Sequence, residues 1–126
     1  MKKGRKTTSR LADLNKAVYS RDMTHWYHVY NRRYFKKQFL PNIEVYFGPL
    51  KAPKGKIKFG CTGMRGLDPI YIVLNKKLEK FGECFAHLIL LHEMVHAYIP
   101  RADHGPKFRK EIHRLAVAGA FNDLVG

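Results

Sequence analysis

Residues 92–96 read His-Glu-Met-Val-His, and this is the stretch whose residue types and spacing suggest chemistry. On a helix, residues four apart lie one turn above each other on the same face, so His92 and His96 can present their imidazoles to a single ion. Glu93 is rotated about 100° from His92 and is poorly placed to ligate that ion. It can still reach a water beside it, as a general base must in metal-assisted hydrolysis. HExxH arises by chance in roughly one or two of a hundred chains of this composition, so its context decides. Here it lies in an apolar stretch, residues 82–99, where two histidines and a glutamate without a compensating role are costly to bury.

A catalytic zinc requires a third protein ligand and an open fourth position. His104 follows His96 by eight residues, beyond Pro100, and a chain reversal of that length can return it to the metal. Glu111, on the next helical segment, is the rival. His113 reads as an outer partner of the ligands or as surface, and His25, His28 and His87 as structural or solvated.

These residues need a scaffold, and the chain predicts an α+β one. Residues 1–20 read as a basic N-terminal arm, with Ser9 suited to cap a short helix carrying Leu11, Leu14 and Val18. Residues 21–126 read as one domain. A helix is expected over 22–39 from the three-and-four spacing of Trp26, Val29, Tyr30, Arg33, Tyr34 and Lys37, with Pro41 past its end. Alternating or β-branched runs at 43–48, 56–63 and 69–75, separated by Gly and Pro, predict a small three-stranded sheet. The apolar HExxH helix follows over 82–99 and is limited by Pro100. A C-terminal helix opens at Gly105-Pro106 and ends near Gly119.

Composition bounds the remaining choices. The 126 residues suit one compact domain, and 27% charged residues exclude a membrane-embedded chain. No apolar run approaches the ~20 residues of a membrane span. The basic start is not followed by an export signal's apolar core, because Asp13, Asn15 and Lys16 break it. Cys61 and Cys84 lack metal-site spacing and read as reduced, so a cytoplasmic chain is expected, with no membrane partner, as a monomer.

The formal charge is +14, from 24 Lys and Arg against 10 Asp and Glu. Lys2, Lys3, Arg5, Lys6 and Arg10 crowd the first ten residues, yet the nineteen cations elsewhere still leave the body strongly basic. An anionic partner, foremost nucleic acid, is expected. Candidate phosphate contacts are those N-terminal cations, Arg32, Arg33, Lys36 and Lys37, and Lys54, Lys56 and Lys58 in the loop over 51–58.

The segment "LLHEMVHAYIPRADHGPKFRKEIHRL", residues 90–115, resembles the SprT-like zinc metallopeptidase family, especially its Spartan-type protease domains. The family pattern is HExxH, a short insert, then HG-x-x-F. It is matched by His92, Glu93, His96, Ala97, Tyr98, His104, Gly105 and Phe108. "YNRRYF", "IEVYFG" and "IYIVLNKKL" upstream are similar to elements preceding the family's active helix, so the resemblance covers about residues 22–118. It implies a zincin-like fold, one catalytic Zn²⁺ on His92, His96 and His104, and Glu93 as base. It also implies a protein substrate held on DNA, including crosslinked proteins, with single-stranded or distorted DNA bound without sequence preference near the nucleoid or its equivalent. Tyr98 and Arg101 are candidates for stabilising the transition state. A cysteine zinc ribbon, common in relatives after the protease core, is not expected here.

Overall fold

The computed structural model describes residues 14, 16–36, 39–99 and 104–122. Its element order is β1 (Val18–Tyr19), α1 (Arg21–Tyr34), β2 (Glu44–Gly48), β3 (Gly60–Arg65) and β4 (Asp68–Asn75). A 3₁₀ turn (Lys76–Lys80), α2 (Glu83–Tyr98) and α3 (Pro106–Val117) follow. The α+β class and helix order agree with expectation.

Helix α1 begins where Ser20 accepts a hydrogen bond from the Met23 amide, with Asp22 in its first turn and Arg32 and Arg33 in its last. Each complements the helix dipole. It buries Met23, Thr24, Tyr27, Tyr30 and Asn31. The helix stops at Tyr34, well short of residue 39. Asn31 clamps the returning chain, its amide bonding both the N–H and the C=O of Leu40 at 2.8 Å. Phe35 leaves the helical path and buries completely, while Phe39 is left exposed. That clamp outweighs the helical periodicity beyond Tyr34.

The sheet has four strands, not three, in the order β1-β2-β4-β3. The additional strand pairs Val18 with Phe47 and Tyr19 with Tyr46, antiparallel. Val18 is therefore a strand residue and not part of a helical face; residues 9–13 lie outside the described set. A strand of two residues has no alternation to detect. Strands β2 and β4 are parallel, and β3 returns antiparallel to β4.

Strand β3 also lies later than the expected 56–63. Lys56–Lys58 form a loop in which Ile57 is 57% exposed, and Asn75 secures that loop by donating to the Lys58 carbonyl. Pairing begins at Gly60 opposite Leu74. At Gly63 a β-carbon would sit 2.2 Å from the Tyr71 ring, so only glycine fits.

Helix α2 lies against the sheet, between α1 and α3. Leu90, Leu91, Met94 and Val95 are inaccessible and meet Tyr27, Val45, Ile72, Leu74 and Leu115 in one core. Gly82, at φ 95°, caps its start, and Pro106 follows the Gly105 cap of α3, as the sequence predicts. No helix among the described residues is long and apolar enough to cross a membrane.

Candidate metal centre

Helix α2 carries His92 and His96 on one face, with Nε2 atoms 3.2 Å apart. His104 stands before the α3 cap in the left-handed region, at φ 63°. This turn swings its imidazole back, placing its Nε2 3.0 Å from that of His96 and 3.1 Å from that of His92. Phe108, buried one turn into α3, packs against all three rings at centroid distances of 4.7–5.0 Å. An apolar wall thus holds three imidazoles in one convergent arrangement.

Protons alone do not account for such a triangle. Each ring nitrogen directs one lone pair or one N–H along its own axis, and three convergent axes cannot all find partners in each other. A divalent cation satisfies all three. Tetrahedral ligands at 2.0–2.1 Å from zinc stand about 3.3 Å apart, close to the triangle observed. Burial, and then the proximity of His104, lowers the His92 pKa, which favours the neutral ligand form. Among the described residues, this is the group of histidine, cysteine or carboxylate side chains able to hold a metal ion.

Glu93 is buried beside the triangle. Burial pushes its carboxyl up to about 7, against the opposing effects of the Thr62 hydrogen bond and the Lys58 charge. The Thr62 hydroxyl lies 2.8 Å from Glu93 Oε1. Gly60 supplies the space: a β-carbon there would come within 2.8 Å of Glu93 Cγ and 2.9 Å of Oε2. Strand β3 therefore orders the carboxylate that α2 carries. Both border a cleft of about 570 Å³, with His92, His96 and His104 in its wall together with Ile57, Lys58, Phe59 and Met64.

The SprT-like family model matches residues 23–123, from the first turn of α1 to beyond α3. The chain belongs to the SprT-like family. Membership is consistent with a zinc metallopeptidase-like domain, and the histidine cluster is one that could hold the metal. No curated protein and no solved structure matches the chain.

Other residues singled out in this SprT-like domain stand elsewhere. Glu111 is no rival to His104: its carboxylate pairs with Arg114, whose Nε is 2.9 Å from both oxygens. Tyr98 does not line the cleft; it packs edge-on against Phe35 at 5.1 Å, beneath the Arg114 guanidinium. The half-buried ring packs between Phe35 and Arg114. His113 is exposed on α3, beside Ile99 and Val117, and does not reach the cleft either. His87 is buried against Trp26, its Nδ1 2.6 Å from the Tyr30 hydroxyl.

Arg101, Lys37 and the cations Lys2, Lys3, Arg5, Lys6 and Arg10 lie outside the described residues. Arg32, Arg33 and Lys36 are exposed at the end of α1, and Lys54, Lys56 and Lys58 along the loop into β3. Thr62 and Gly60 escaped the sequence reading. Neither belongs to a local motif, and only strand pairing brings them to Glu93.

Proposed function

We propose that this SprT-like domain is a zinc-dependent peptidase that acts on proteins held at DNA, including proteins crosslinked to it. The reading rests on one observation: three Nε2 atoms within 3.0–3.2 Å of one another share a cleft with the buried Glu93 carboxylate. His92, His96 and His104 would hold the ion. When bound, zinc supplies a Lewis acid that polarises a carbonyl and lowers the pKa of water at the site toward about 7. Three protein ligands leave a position open for that chemistry, as in catalytic sites generally.

Glu93 then has two tasks. It takes the proton of the attacking water and later delivers it to the nitrogen of the leaving amine. Thr62 engages Oε1, and the absence of a side chain at Gly60 keeps the space beside Oε2 clear. Strand β3 thus holds in place the carboxylate that moves this proton. Replacing Glu93 with Gln keeps the shape and removes the base. Glu93→Gln is expected to retain one zinc per chain and to lose at least about a hundredfold in peptide cleavage. Full activity in that variant would remove Glu93 from the mechanism.

The charge of +14 and the exposed Arg32, Arg33, Lys36, Lys54, Lys56 and Lys58 support an anionic polymer as the docking partner. Contacts of this kind are made to phosphates, so binding to single-stranded DNA should weaken steeply as salt rises and depend little on sequence. Cleavage of a basic protein with and without single-stranded DNA separates this reading from a peptidase that needs no nucleic acid. Equal rates in both would leave the peptidase and remove the DNA.

A further inference from the structure

Phe59 lines the cleft and joins it to an aromatic group that proton transfer does not use. Phe59, at its edge, packs edge-to-face with Phe85 at 5.3 Å and with Phe81 at 6.2 Å, and Phe81 meets Phe85 at 5.6 Å. Phe59 and Phe85 lean on the core, but Phe81 is 58% exposed and is not among the residues packed there. Exposed Ile57 stands in the same cleft wall.

The connection to Glu93 follows from helix geometry. Phe85, Ile89 and Glu93 are spaced by four residues on α2, so they form one stripe along one face. At 1.5 Å per residue the stripe carries the aromatic cluster about 12 Å from the carboxylate. An extended peptide rises about 3.3 Å per residue, so this distance spans three or four residues.

We infer that Phe59, Phe81 and Phe85 form a substrate subsite for a large apolar side chain, three or four residues from the bond that is cut. The inference rests on the peptidase reading of the cleft and adds its substrate class: extended segments carrying a bulky apolar residue, of the kind a folded protein keeps inside. The three rings meet edge to face at interplanar angles of 65–86°, with Phe81 outermost and exposed. The stripe that joins these rings to Glu93 favours a side chain of the cleaved segment over a nucleic-acid base.

The test uses the zinc-loaded full chain and quenched-fluorophore peptides of Gly and Ser, with a single Phe moved one position at a time on both sides of the scissile bond. Partial burial of one aromatic ring is worth about tenfold. The expected profile is a rise of about tenfold in kcat/KM, on one side only, with Phe three or four residues from the bond. In Phe81→Ser the ratio of the Phe peptide to the all-Gly/Ser peptide should fall to within about twofold of unity. Phe81 is mostly exposed and makes two edge contacts, so that variant should fold and melt within about 10 °C of wild type. A flat profile in an active wild-type enzyme overturns the subsite and leaves the peptidase standing.

If no peptide is cut, the peptidase reading falls, and binding of the same labelled peptides decides the subsite alone. Tighter binding of the Phe peptide that Phe81→Ser abolishes supports it, whereas equal binding overturns it. Loss of oligothymidylate binding in Phe81→Ser, with the peptide ratio intact, overturns it in favour of stacked bases.

Discussion

The Thr62 hydroxyl lies 2.8 Å from Glu93 Oε1 and 3.1 Å from the carbonyl oxygen of the same residue. One strand side chain thus fixes both the backbone and the carboxylate of the proposed base. The hydroxyl has a single proton, so the two oxygens share it. A hydrogen bond to a charged acceptor contributes about 1.5–3 kcal/mol, and losing it lets the carboxylate turn. Thr62→Val, which keeps the shape, is expected to lower kcat by about 10- to 100-fold with KM and zinc content unchanged. Thr62→Ser should restore most of the loss. Steady-state kinetics beside metal analysis measures this, and a fully active Thr62→Val enzyme would dismiss the contact.

Two glycines of the same strand should respond differently to alanine. At Gly60 the added carbon meets the Glu93 side chain and Ile89 at 2.8–2.9 Å, and both can shift. Gly60→Ala is expected to fold, to lose about 1–3 kcal/mol of stability and to lose most activity because Glu93 is displaced. At Gly63 the carbon falls 2.2 Å from the Tyr71 ring, which is itself buried. Gly63→Ala should lose more stability than Gly60→Ala. Urea titration of the two variants gives the order, and the reverse order would contradict the packing of β3.

His104 holds a backbone conformation that costs a non-glycine residue about 1–2 kcal/mol. His104→Gly relieves that strain but adds freedom to the unfolded chain, so metal-free stability should stay within about 1 kcal/mol of wild type. The difference should emerge with zinc. Wild type gains about 2.7 kcal/mol when zinc is a hundredfold above its Kd, and the variant gains much less at the same concentration. Thermal melts with chelator and with zinc measure both effects. Equal stabilisation by zinc in the two proteins would exclude His104 as a ligand.

Burial lowers the His87 pKa, with weaker opposition from the charges of Glu83 and Asp22. The folded state therefore binds that proton less readily than the unfolded chain. His87 contributes stability that is fully present above its unfolded pKa of about 6.5 and is lost as pH falls through the folded value. In His87→Phe this part of the acid slope should disappear. Stability of the two proteins measured from pH 7.5 to 5 gives the comparison; parallel curves would mean that His87 keeps an ordinary pKa in the fold.

The sequence alone determined what depends on neighbours along the chain. The four-residue step from His92 to His96 follows from helix period, and the opening of α3 follows from Gly105-Pro106, because both are set within a turn. Which distant groups meet was decided in three dimensions. Arg114 draws Glu111 away from the metal centre, Phe35 receives Tyr98, and Asn31 ends α1 by binding Leu40, none of which any local pattern encodes. Thr62 and Gly60 reach Glu93 only because β3 pairs with β4 from Gly60 onward and not from residue 56. Alternation over 56–63 does not say where pairing starts, so the choice passes to packing: the strand that forms leaves Ile57 outside and seats Gly63 against the Tyr71 ring.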